Sequence, residues 1–174
     1  MKELFLSATY TDQKDCIEEV KSKLAELGVR AWHFKEGEFY NGRIDIHSHD
    51  RCIELVEQIP NYLLIVSYRA GAFYEGGDKS YNGLTVTHSE FKAAFKATKK
   101  DQNRRLYPFV RKEVWNIFNT WKDLVNRQEY PENWEIDRNL FPLLSDLKSL
   151  SWIDTFDTSL DLKEMIAKKV GYFV

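Results

Sequence analysis

Residues 62–67, Tyr-Leu-Leu-Ile-Val-Ser, form the most continuous apolar run in the chain. A strand covered on one face alternates polar and apolar side chains. A run without that alternation is buried on both faces, as at the centre of a parallel sheet. Parallel neighbours need crossover connections, so helices are expected on either side of this strand.

The flanking sequence supplies them. Leu4, Phe5 and Leu6 form a second short apolar run that ends in Ser7, Ala8 and Thr9. Ile17, Val20, Leu24 and Leu27 then recur at helical spacing, with Asp12 as a candidate cap and Gly28 as a stop signal. Residues 29–34 read as a strand, which completes a β-α-β unit of right-handed crossover. Ile46, Ile53, Val56 and Ile59 mark a helix before the central strand, and Phe91, Ala94 and Phe95 mark one after it. Thr87 is the candidate cap of that second helix.

Residues 106–110 follow as a strand, with Pro108 predicting an interruption, a bulge or a place near an edge. Val114, Ile117, Phe118, Trp121 and Val125 define an amphipathic helix, whereas residues 130–144, with two prolines, read as irregular. A last strand over 151–156 and a helix over 160–170 complete the pattern. The expected fold is α/β and flavodoxin-like: a doubly wound, mainly parallel five-stranded sheet with helices on both faces, forming a single domain over residues 1–174.

Composition narrows the function classes. With 174 residues, 43% hydrophobic and 30% charged, the chain can bury one proper core. Its formal net charge of -2 provides no summed field for nucleic acid or anionic lipid, so direct nucleic-acid binding is not expected. The N-terminal apolar run is too short for a signal peptide or a membrane span, which points to a cytoplasmic protein. Cys16 and Cys52 fall within helical patterns and read as buried free thiols.

Ligands of such sheets lie outside the carboxyl ends of the strands, which directs attention to Thr9, Tyr10, Phe34, Lys35, Ser67, Tyr68 and Arg69. Among them, Lys35 and Arg69 suit a pyrophosphate, and Tyr10 or Phe34 suit stacking on a base. Ordinary core and loop contacts explain the same residues equally well. No G-x-G-x-x-G follows a strand, and Gly71 and Gly76 have P-loop spacing but lead into Gly77 and Asp78. The set His47, His49, Asp50 and Cys52 matches no closed zinc site, so no metal is assigned. His88 and Ser89 are adjacent in sequence and lack a nucleophile elbow, which argues against a hydrolase triad.

Glu90 stands apart, because Thr87-His88-Ser89-Glu90 places a carboxylate in the first turn of the helix that follows the central strand's long loop. The competing reading is a capping box, in which Thr87 and Glu90 bond each other's backbone amides.

The segments Leu4 to Asp12 (LFLSATYTD), Tyr62 to Arg69 and Ser80 to Phe91 resemble the bacterial TIR-like family found in NTPase-containing multidomain proteins, itself related to Toll/interleukin-1 receptor domains. Ser7-Ala8-Thr9 corresponds to the family's turn after the first strand. Tyr68-Arg69-Ala70-Gly71 corresponds to its aromatic-Arg-aromatic-Gly stretch, and Thr87-His88-Ser89-Glu90-Phe91 to its Thr-x-x-Glu-aromatic helix start. The agreement runs to about residue 111; residues 75–86 form a longer loop, and residues 126–149 have no matched counterpart.

The resemblance implies that NAD is a substrate, not a cofactor, that its nicotinamide–ribose bond is cleaved, and that Glu90 is the catalytic carboxylate. It also implies a place in antiphage defence or signalling, self-association, or membership of a longer multidomain protein. Nicotinamide leaves as a neutral pyridine without a general acid, so one carboxylate facing an oxocarbenium-like ribose is chemically sufficient. Two other functions fit the same residues. One is a non-enzymatic assembly module, with the 35–43 loop in the contact. The other is an N-glycosidic enzyme similar to nucleoside deoxyribosyltransferases, whose substrates are nucleosides.

Overall fold

The computed structural model describes residues 2–34, 46–125 and 135–173. Five strands, β1 (Lys2–Ala8), β2 (Val29–Trp32), β3 (Asn61–Val66), β4 (Arg105–Arg111) and β5 (Asp154–Phe156), form one sheet in the order β2-β1-β3-β4-β5. Every pairing is parallel. This is the doubly wound, flavodoxin-like order, with its topological switch between β1 and β3.

Around the sheet lie α1 (Tyr10–Glu26), α2 (Ser48–Gln58), α3 (Val86–Lys100), α4 (Lys112–Val125), α5 (Phe141–Lys148) and α6 (Ser159–Phe173). Strand alternation divides the core into two layers. Phe5, Tyr62, Leu64, Val66, Leu106 and Val110 face α2, α3, α4 and α5, where Phe91, Phe118, Leu143 and Leu144 are buried. Leu4, Leu6, Leu63, Ile65, Tyr107 and Phe109 face α1 and α6, meeting Ile17, Val20, Leu24, Leu162 and Ile166. Burial on both faces explains the unbroken apolar run of β3. Among the described residues, no helix is long and apolar enough to cross a membrane.

Several local expectations are corrected. Helix α1 begins at Tyr10 with Thr9 as its N-cap, and no side-chain bond caps it. The Asp12 carboxylate instead accepts from the backbone N–H of Tyr68, 3.0 Å away, tying α1 to the end of β3. The N-cap of α3 is Thr85, not Thr87: its hydroxyl accepts from the N–H of His88 at 3.3 Å. Strand β4 runs continuously through Pro108, which pairs with Leu64 of β3. Its ladder with β5 begins only at Phe109, so at Pro108 that flank is locally an edge and tolerates the missing donor.

Within the stretch expected to be irregular, residues 138–140 form a 3₁₀ turn leading into α5. Pro142 lies in the first turn of that helix, where a missing N–H removes no intrahelical bond.

Candidate functional site

The site forms where β1 and β3 diverge to opposite sides of the sheet. Ser7 is two residues beyond Phe5 on β1 and therefore points to the same face, towards α2 and α3. On α3, Glu90 is 5% exposed, and its Oε2 accepts from the Ser7 hydroxyl at 2.5 Å. The Cys52 thiol on α2 adjoins the same carboxylate and favours its ionised form. Three elements thus converge on one acidic group.

Electrostatics follow from that burial. Desolvation raises the pKa of Glu90 to about 7, and the Ser7 bond and the adjoining Cys52 thiol offset part of the rise. Burial likewise pushes the Cys52 thiol far up, and the neighbouring Glu90 charge adds to the effect. The Tyr62 phenol, whose ring stacks on Phe5 at 6.0 Å, is raised for the same two reasons. Its hydroxyl is buried without a hydrogen-bond partner in good geometry.

Beside Glu90 opens a cavity of about 200 Å³ lined by Thr9, His33, Phe34, His49, Gly71 and Thr87 among others. Gly71 has φ of +80°, a conformation in which a side chain is strained, and a Cβ there would stand 3.5 Å from the Thr9 methyl. The loop beyond it is held by the Phe73–Thr85 bridge and by the bond from Val86 N–H to the Ala72 carbonyl, 2.9 Å. These contacts bring the start of α3 against the ends of β1 and β3.

The residues singled out from sequence are distributed unequally. Glu90, Thr9 and Phe34 line the cavity. Thr9 also donates to the Arg69 carbonyl at 2.9 Å, so position 69 enters through its backbone. The Arg69 side chain is exposed and is not part of the lining. Tyr10 begins α1, but its side chain lies outside the described residues, as does Lys35 entirely.

The capping-box reading of Glu90 is overturned. Thr85 performs the capping, and Glu90 turns inward to Ser7 rather than back to the Thr87 amide. His88 pairs with Asp146 at 2.8 Å, whereas Ser89 bonds the Thr85 carbonyl at 3.0 Å, so the two serve different contacts. His49 and Asp50 fasten the following loop to α2. His49 Nδ1 accepts from Glu75 N–H, and Asp50 accepts from Tyr74 and Gly77.

Sequence reasoning did not assign Ser7, Cys52 or His33 to the site. For Ser7 a signal existed: it directly follows the buried run Leu4-Phe5-Leu6 and shares the face of Phe5 at the carboxyl end of the strand. Cys52 gave none, because a buried thiol in an amphipathic helix has the same pattern whether or not it bonds a carboxylate.

The strand order, the crevice at its switch point and the buried carboxylate define an α/β domain with a preformed polar site at the carboxyl ends of its strands. The chain belongs to the family described as Domain of unknown function (DUF4062), whose model matches residues 3–171. No curated protein matches the chain.

Proposed function

We propose that this domain cleaves N-glycosidic bonds to ribose, with NAD as the leading substrate and Glu90 as the reacting carboxylate. The observation that carries the reading is the inward, cavity-lining Glu90, held by Ser7 and Cys52 rather than spent on capping its own helix. Ionised, Glu90 stabilises or attacks the cationic ribose carbon as the neutral base departs. Ser7 and Cys52 orient it, and Phe34 and Thr9 offer an apolar face and a polar edge to the departing ring. The resemblance to TIR-like NAD-cleaving domains supports the choice of NAD.

One observation favours nucleosides as the competing substrate class. A cavity of about 200 Å³ holds a ring-sized group and falls below the range of roughly 300–1,000 Å³ that encloses larger ligands. The deciding experiment incubates the protein, at high concentration with a crowding agent, separately with NAD and with a panel of ribo- and deoxyribonucleosides. Free base and sugar products are followed by chromatography. Glu90-dependent nicotinamide release supports the NAD reading; base release from nucleosides alone transfers the assignment to them. With neither, despite demonstrated self-association, the domain is an assembly module.

A further inference from the structure

A second, larger cavity lies at the opposite end of the sheet and plays no part in the chemistry proposed for Glu90. Strand β5 pairs only with residues 109–111 of β4, which leaves the β4 flank from Arg105 to Pro108 without a strand neighbour on that side among the described residues. Against this uncovered flank opens a cavity of about 660 Å³. Its walls come from the C-terminal half of α3, the segment between α5 and β5, and α6.

Its chemistry is specific. Among the described residues, three cationic side chains, Arg104, Arg105 and Lys169, line it, and no acidic one does. All three are held in position: Arg104 donates to the Val56 and Ile59 carbonyls at 3.2 and 3.1 Å and pairs with Asp101, Arg105 donates to the Gln102 carbonyl at 2.6 Å, and Lys169 pairs with Asp154. Trp152 also lines the cavity and is 59% exposed, an unusual position for a large indole unless something covers it. Tyr107 contributes to the wall as well, and the residue is only 6% exposed.

We propose that this cavity is a second binding site, for a small molecule that combines a flat apolar ring with one anionic group. The ring stacks on Trp152, and the anion lies beside Arg105 and Lys169. Aromatic carboxylates and purine mononucleotides share this chemistry. The proposal is independent of the reading of Glu90, because it draws on no residue of that site.

The test is a titration of ¹⁵N-labelled full-length protein with adenosine monophosphate, phenylacetate, adenosine and inorganic phosphate, each followed by amide and indole N–H shifts. The expected result is saturable shifts at Leu106, Tyr107 and Trp152 with adenosine monophosphate or phenylacetate, and distinctly weaker ones with adenosine or phosphate alone. Which of the first two binds identifies the source of the anion. Trp152→Ala, at an exposed position, is expected to weaken binding about tenfold. The proposal is overturned if neither anionic ring compound shifts these residues up to roughly 10 mM, beyond the range of specific binding. It is equally overturned if adenosine binds as well as its monophosphate, or if the shifts appear only around Thr9, Phe34 and Glu90.

Discussion

The two ends of the sheet treat buried polar groups in opposite ways. At the carboxyl end, Ser7, Cys52 and Glu90 satisfy one another around a cavity of about 200 Å³. At the amino end of β4, a cavity of about 660 Å³ keeps its arginines bonded to backbone carbonyls and leaves the Tyr107 hydroxyl unpaired. The first arrangement gives one carboxylate a raised pKa and a fixed direction, properties that suit the proposed chemistry. The second offers fixed charge and a ring surface, which suits binding without reaction.

The largest test of this contrast is Glu90→Gln, expected to lower N-glycosidic turnover about 1,000-fold or more while leaving the fold intact. The same substitution at the carboxyl end must not alter ligand shifts at Trp152. Acidification comes next. Because the proposed chemistry requires Glu90 ionised and burial raises its pKa to about 7, kcat/KM is expected to fall roughly tenfold for each pH unit below that value.

Stability shifts in the opposite sense. The folded pKa lies above that of the unfolded chain, so the folded state retains the proton longer. Stability is fullest below the unfolded carboxyl pKa, declines as pH rises towards about 7, and is level above it. The expected loss is on the order of 3 kcal/mol, and denaturant titrations of Glu90→Gln should lack that pH dependence.

Ser7→Ala separates positioning from reaction. It removes a donor to the ionised carboxylate, so the acidic limb of the pH profile is expected to move up by about one unit, with a loss of about 1–3 kcal/mol in stability at pH 8. The smallest effect is expected at Tyr62→Phe. Among the described residues this hydroxyl has no hydrogen-bond partner in good geometry, and removing it should change stability by less than about 1 kcal/mol, measured by chemical denaturation. A large loss there would mean that the hydroxyl belongs to the Glu90 network.

Much of the fold was legible in the sequence because parallel strands buried on both faces leave continuous apolar runs, as in β1 and β3. Legibility failed where one residue type serves two roles. Thr85 and Thr87 both suit an N-cap, and only the bridge from Phe73 to Thr85 decides where α3 begins. The two prolines make residues 130–144 read as irregular, although Pro142 occupies the first turn of α5, where it fits a helix.

At the site, the position of Glu90 after the central strand's loop was visible, because strand and helix order alone locates a crevice. Its partners were not, since Ser7 lies 83 positions away and meets it only after β1, β3 and α3 assemble. Arg69 shows the converse: an attractive residue at the right strand end whose side chain remains outside the cavity.

The most direct test of the central claim is nicotinamide release from NAD by the wild-type protein and by Glu90→Gln, from about pH 5 to 9. The account predicts turnover that rises to a plateau above pH of about 7 in the wild type and is nearly absent in the variant at every pH. Equal turnover by both proteins, or a wild-type rate unchanged through neutral pH, would contradict it.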